Sequence, residues 1–124
     1  MKIAIIGGSG FENPSFAELQ ERTVQTPYGT VIVKEGVYDD IPIVLLSRHG
    51  KDHTLTPSKV NYRANMYALK ESNVTHILAT TACGSLRENI QRGDLVIVDQ
   101  FIDFTRHRHI TFHDSFEPGN AVHT

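Results

Sequence analysis

The run Ile3-Ala4-Ile5-Ile6 leads directly into Gly7-Gly8-Ser9-Gly10, and this junction constrains the fold more than any other stretch of the chain. An uninterrupted, β-branched segment from Lys2 to Gly7 is the pattern of a strand buried on both faces. Glycines at its end let the backbone turn tightly and aim N–H groups at an anion, and the Ser9 hydroxyl adds a further donor. The dinucleotide-binding fingerprint is not met, because its third glycine would fall at Asn13, and no Gly-Lys-Ser/Thr follows to make a Walker motif. Alone, the turn fits both an anion cradle and a plain tight turn.

Further strands follow. Val31-Ile32-Val33 and Ile41 to Leu46 flank a turn at Tyr38-Asp39-Asp40 and predict an antiparallel pair, and Thr26-Pro27-Tyr28-Gly29 is a second turn. Between Glu12 and Arg22 the pattern is mixed, with room for a short helix after Pro14. Thr56-Pro57-Ser58 carries helix-start chemistry. Val60, Ala64, Tyr67 and Ala68 then recur at helical spacing, and the helix should end near Ser72-Asn73. His76 to Thr81 reads as a buried strand ending at Ala82-Cys83-Gly84-Ser85. Gly93-Asp94 is a turn and Leu95 to Val98 a further strand. This order predicts an α/β fold with a mixed central sheet flanked by helices. Beyond Thr105 the chain becomes polar and reaches Thr124 without a finishing helix, so the fold is expected to be C-terminally incomplete.

Composition narrows the function. Of 124 residues, 40% are hydrophobic and 21% charged, the balance of a globular domain with a core. A net charge of −2 gives no basic field, so nucleic acid is not an expected partner. No apolar run approaches the ~18 residues of a membrane span, and no signal peptide is recognisable, so no membrane association and a cytoplasmic location are expected. Cys83 is the only cysteine, which excludes an intramolecular disulfide and a thiolate zinc cluster. It is expected as a small buried hydrophobe.

Two more strand ends carry polar groups. Arg48-His49-Gly50 follows the Val- and Leu-rich strand, where an arginine is placed for bidentate contact with phosphate, and His53 lies four residues beyond His49. Thr80-Thr81-Ala82-Cys83-Gly84 ends the next buried segment. There Thr81 offers a hydroxyl and Ala82 a backbone N–H. Ligands of open α/β sheets sit beyond the carboxyl ends of strands. If the sheet gathers these three ends, the result is an anion site with one arginine, two hydroxyls and several N–H groups. His107, His109 and His113 could share a face, but no cysteine or carboxylate stands at ligand spacing, and no metal is expected. Asp99, Asp103 and Asp114 are read as solvated or capping groups rather than acid–base catalysts.

These segments resemble a known family. Ile5 to Gly10, Ser47 to Gly50, Pro57 to Asn65, Thr80 to Glu88 and Asp99 to Asp103 are similar, in order and spacing, to successive blocks of the 5′-methylthioadenosine phosphorylase branch of the purine nucleoside phosphorylases. The ordinary purine branch carries asparagine-alanine-alanine-glycine where this chain has Thr81-Ala82-Cys83-Gly84, which favours the methylthio branch.

The resemblance implies a nucleoside phosphorylase-like fold, with residues 1–124 as the amino-terminal part of a single domain. It implies a homotrimer when full length, with no metal or organic cofactor and with inorganic phosphate as co-substrate of a purine nucleoside. Phosphate attacks the anomeric carbon of 5′-methylthioadenosine or 5′-methylthioinosine, and free purine and 5-methylthioribose 1-phosphate form with inversion. Ser9, Arg48, His49, Thr81 and Ala82 would bind phosphate. His53 and His123 would bind the substrate, His123 by reaching into a neighbouring subunit's 5′ pocket. Ser9 replaces a threonine found in many members and Arg92 a proline. The family's purine-binding aspartates, ribose-contacting methionine and a further phosphate-binding threonine lie beyond Thr124, so the catalytic residues are expected there. Two other readings stay open: a phosphorylase for inosine or guanosine, and an inactive anion-binding fragment.

Overall fold

The computed structural model describes residues 1–8, 14–50, 52, 54–115 and 118–119. They build one five-stranded mixed sheet in the order β2-β3-β4-β1-β5, from β1 (Ile3–Gly7), β2 (Leu19–Thr26), β3 (Gly29–Tyr38), β4 (Ile41–Ser47) and β5 (His76–Ala79). Strand β1 runs parallel to both β4 and β5, with Gly7 opposite Ser47 and Ile6 opposite Ala79. The β2-β3-β4 portion is antiparallel. The β3–β4 reversal uses Asp39 and Asp40, whose φ of 49° and 60° match the mirror-image turn that follows strand twist in two-residue hairpins.

One α-helix, α1 (Tyr62–Glu71), is described, preceded by a 3-10 turn at Pro57–Lys59. The expected start at Thr56-Pro57-Ser58 therefore produces only that turn. The α-helix is capped by Asn61, whose side chain accepts from the Ala64 amide at 3.1 Å and donates to the Tyr28 carbonyl at 2.7 Å. One residue thus satisfies an orphan helix N–H and ties the helix to the β2–β3 turn. The helix stops as expected at Ser72 and Asn73, the latter at φ 57°.

Packing α1 onto β2 and β3 makes the core. Ala64, Ala68 and Leu69 of α1 bury against Val24, Val31, Val33, Val44, Leu46 and Ala4. At the edge of the core face, Glu35 accepts from Arg22 and Lys2, each at 3.0 Å, and Arg22 also donates to Ser72 at the C-cap of the helix.

The sequence pattern misjudged four segments. Residues 14–18 bend without forming a helix, and β2 follows instead. Strand β2 has a largely polar sequence because it is a sheet edge, with Val24 its one buried residue. Strand β5 is exposed rather than buried, Leu78 by 59%, because it borders β1 alone and the helix lies over the opposite end of the sheet. Leu95 to Val98 forms no strand; these residues find no ladder partner among the described residues and stand exposed. Cys83 is also exposed, not buried. Large apolar side chains are exposed at intervals from Leu86 to Ile110. Among the described residues no helix is long and apolar enough to cross a membrane.

Candidate anion and nucleoside site

Parallel pairing places the carboxyl ends of β4, β1 and β5 side by side, and backbone hydrogen bonds carry the alignment past the strands. The Arg48 amide donates to the Gly7 carbonyl at 3.0 Å, and the Thr80 amide to the Ile6 carbonyl at 3.0 Å. The two polar turns that follow β4 and β5 therefore open at the same edge as Gly8.

Arg48 spans this junction. Its Nη1 donates to the Thr80 carbonyl at 2.9 Å. Its Nη2 stands 2.7 Å from the point a Cβ would occupy on Gly8. Only glycine admits the guanidinium at that distance, which gives Gly8 a steric role independent of turn geometry. The loop after Arg48 closes on itself: Gly50 donates to Ser47 and Leu55 to His49, both at 3.0 Å. The His49 Nδ1 lies 2.8 Å from the Leu55 carbonyl oxygen, which requires a proton on Nδ1 and fixes the ring's orientation.

Arg48, His49, Thr81 and Ala82 line one cavity of about 730 Å³ together with Gly8 and Thr80. The structure thus places these four residues on the wall of one cavity. Ser9, His53 and His123, the other candidate binding residues, lie outside the described residues. Pro57, Tyr62, Thr105 and Arg108 complete the wall and escaped sequence reasoning. Pro57 and Tyr62 lie in the Pro57 to Asn65 block without a role assigned to them, and Arg108 lies in the Arg106-His107-Arg108-His109 run, which read as polar surface. A volume in this range holds a small organic molecule as well as an anion.

Two aspartates nearby have partners of their own. Asp103 accepts from the Thr105 amide at 2.8 Å and from its hydroxyl at 2.6 Å, and these bonds hold its carboxyl below the usual carboxylate range. Asp114 pairs with Arg63, which also lies over the Tyr28 ring. Both aspartates therefore have structural partners, but Asp114, read as a solvated or capping group, is an ion-pair partner of Arg63 instead. Among the described residues no group of three or more His, Cys, Asp or Glu is placed to hold a metal ion.

A polar edge of this kind occurs in many α/β proteins, so comparison with known proteins decides the family. The family model described as the phosphorylase superfamily matches residues 2–123. The chain belongs to that superfamily. It is 53% identical over 117 residues to a Thermococcus kodakarensis protein named "Probable 6-oxopurine nucleoside phosphorylase", covering 94% of this chain and 44% of the relative. It is 54% identical over 117 residues to S-methyl-5'-thioadenosine phosphorylase of Danio rerio, covering 92% of this chain and 42% of that one. Methylthioadenosine phosphorylase from Schistosoma mansoni, solved in complex with adenine, superposes with a TM-score of 0.85 at 48% identity, over 94% of this chain and 44% of its own. The chain thus spans under half the length of the relatives it matches. The nucleoside phosphorylase fold inferred from the sequence blocks agrees with this superposition.

Proposed function

We propose that this chain supplies the phosphate side of a nucleoside phosphorylase active site, and that the protein carrying it converts 5′-methylthioadenosine or 5′-methylthioinosine to free purine and 5-methylthioribose 1-phosphate. The observation that carries the reading is the position of Arg48. It is clasped between Gly8 and the Thr80 carbonyl, and it lines one cavity with His49, Thr81 and Ala82. An arginine fixed in this way meets phosphate oxygens with little further loss of freedom. Ser9 would add a hydroxyl to the same site.

In the reaction a phosphate oxygen bonds to the anomeric carbon while the glycosidic C–N bond breaks. The bonding pair leaves with the purine, which takes up a proton. The transition state carries positive charge on the sugar, as in glycoside hydrolysis. A held phosphate anion then serves as both nucleophile and electrostatic stabiliser. The chemistry calls for no redox partner or organic cofactor. A cytoplasmic homotrimer, with His53 and His123 on the 5′ side of the substrate, completes the reading; its support is the resemblance to the methylthio branch.

A second reading, phosphorolysis of inosine or guanosine, is favoured by the 53% identity to the 6-oxopurine relative, nearly equal to the 54% of the methylthio relative. Purine release from 5′-methylthioadenosine, 5′-methylthioinosine, inosine and guanosine, with and without phosphate, separates the two. Phosphate-dependent release from the methylthio nucleosides is the expected result. Release from inosine and guanosine alone would select the second reading, and release independent of phosphate would remove both. His123→Ala should cost the methylthio substrates more than inosine. Equal losses on both would take His123 out of the 5′ site.

A further inference from the structure

We propose that Arg108 is a second cation of the phosphate cavity and makes it select a dianion over a monoanion. The inference rests on the reading of that cavity as a phosphate site. Arg108 is 60 residues from Arg48 in sequence, yet both line the same cavity of about 730 Å³. The chain reaches this position through a left-handed residue, His107 at φ 63°, where the backbone bends. Its guanidinium then lies over the Tyr62 ring, 4.7 Å from the centroid. Tyr62 is the first residue of α1, so the cation is seated on a rigid element rather than on its own loop.

No described residue takes up the hydrogen-bonding groups of this arginine. Among the described residues Arg108 makes no hydrogen bond and no ion pair, whereas Arg48 is bound to Thr80, Arg63 to Asp114 and Arg22 to Glu35. The carboxylate nearest in sequence, Asp103, accepts from the Thr105 amide and hydroxyl; Arg108 and Arg106 attract its charge without hydrogen-bonding to it. A stacked guanidinium keeps its in-plane N–H donors available while its face is covered, which suits bidentate contact with an oxyanion. Two arginines on one cavity balance two negative charges. A monoanion gains much less from the second.

The test titrates the chain with inorganic phosphate, sulfate and nitrate by calorimetry. The proteins compared are the unaltered chain and the variants Arg108→Gln, Arg108→Lys and Arg48→Ala, each first checked for folding by circular dichroism. Arg108→Gln retains a planar group to cover Tyr62 but removes the charge, whereas Arg108→Lys retains the charge. The expected result is a loss of about ten- to a hundredfold in phosphate and sulfate affinity in Arg108→Gln, with nitrate affinity nearly unchanged and most of the dianion preference kept in Arg108→Lys. An unchanged dianion-to-monoanion ratio in Arg108→Gln, beside a large phosphate loss in Arg48→Ala, would overturn the role of Arg108 and leave the phosphate site standing. Equal loss for all three anions would also overturn it, since that marks a structural role. Unchanged phosphate affinity in Arg48→Ala, or no phosphate binding by the unaltered chain, would overturn the site itself and the inference with it.

Discussion

The Arg48 guanidinium donates to the main-chain carbonyl of Thr80 across 2.9 Å, which locks the turn after β4 to the turn after β5. The charged group that would meet phosphate is therefore also a clasp between two strand ends. Arg48→Ala should raise the phosphate concentration needed for half-maximal phosphorolysis about tenfold to over a hundredfold, the range of a lost charge-assisted contact. A phosphate titration at saturating nucleoside measures it, and an unchanged requirement would count against the assignment.

Gly8 offers a finer probe of the same clasp. A Cβ there would stand 2.7 Å from the Arg48 Nη2, so Gly8→Ala must push the guanidinium aside. That atom ends a flexible side chain, so the fold should survive the change. We expect phosphate affinity to fall while the thermal midpoint moves little. A large loss of stability with normal phosphate affinity would reverse the assignment.

Much of this edge was legible before the structure. β1 and β4 were readable because each is a continuous apolar run ending at a turn signal, and the rule that ligands gather at carboxyl strand ends then pointed to Arg48, His49, Thr81 and Ala82. The misses share a different cause. β2 is a polar edge strand whose position depends on its partner β3, so Leu19–Thr26 carries little periodic signal of its own. Thr56 and Ser58 looked like caps, but the contact with the Tyr28 carbonyl selects Asn61, and no local pattern encodes that contact. Arg108 reaches the cavity through the bend at His107, a conformation invisible in a polar run. The Leu95–Val98 run shows that β propensity alone does not make a strand, since the ladder needs a partner.

Asn61 gives a measurable consequence of that cap. Asn61→Ala removes both the bond from the Ala64 amide and the bond to the Tyr28 carbonyl. The expected cost is about 0.5–2 kcal/mol, the usual range for a lost N-cap side chain. Urea unfolding should show a lower midpoint with an unchanged slope. No shift in midpoint would mean that solvent satisfies the helix end equally well.

Gly36 should be less tolerant than Gly8. A Cβ on Gly36 would stand 2.3 Å from the Glu18 carbonyl oxygen and 2.8 Å from a Leu19 methyl carbon. Here the obstacle is backbone, so β2 or β3 must move. Gly36→Ala should cost about 1–3 kcal/mol, as overpacking does in closely packed sites. A denaturation midpoint equal to that of the unaltered chain would show that the sheet edge yields freely.

The Glu35 cluster makes the fold sensitive to acid. Burial pushes the Glu35 carboxyl upward, but hydrogen bonds from Arg22 and Lys2 and their positive charges outweigh it, so its pKa lies below the ordinary glutamate value. In the unfolded chain the group titrates near its usual pKa of about 4.3. Above that pH both states are ionised and the cluster's stabilisation is fully present. As pH falls below it, the unfolded chain takes up a proton that folded Glu35 resists, and the stabilisation is lost progressively until the folded carboxyl also protonates. Partial exposure of the three side chains, 27% for Lys2, 28% for Glu35 and 41% for Arg22, keeps the effect modest through solvent screening. Glu35→Gln should therefore lower stability at pH 7 and flatten its decline below about pH 4.3. Urea midpoints measured from pH 7 downward for both proteins would show the two curves converging in acid. Curves that stay parallel across that range would mean the carboxyl is not held by Arg22 and Lys2.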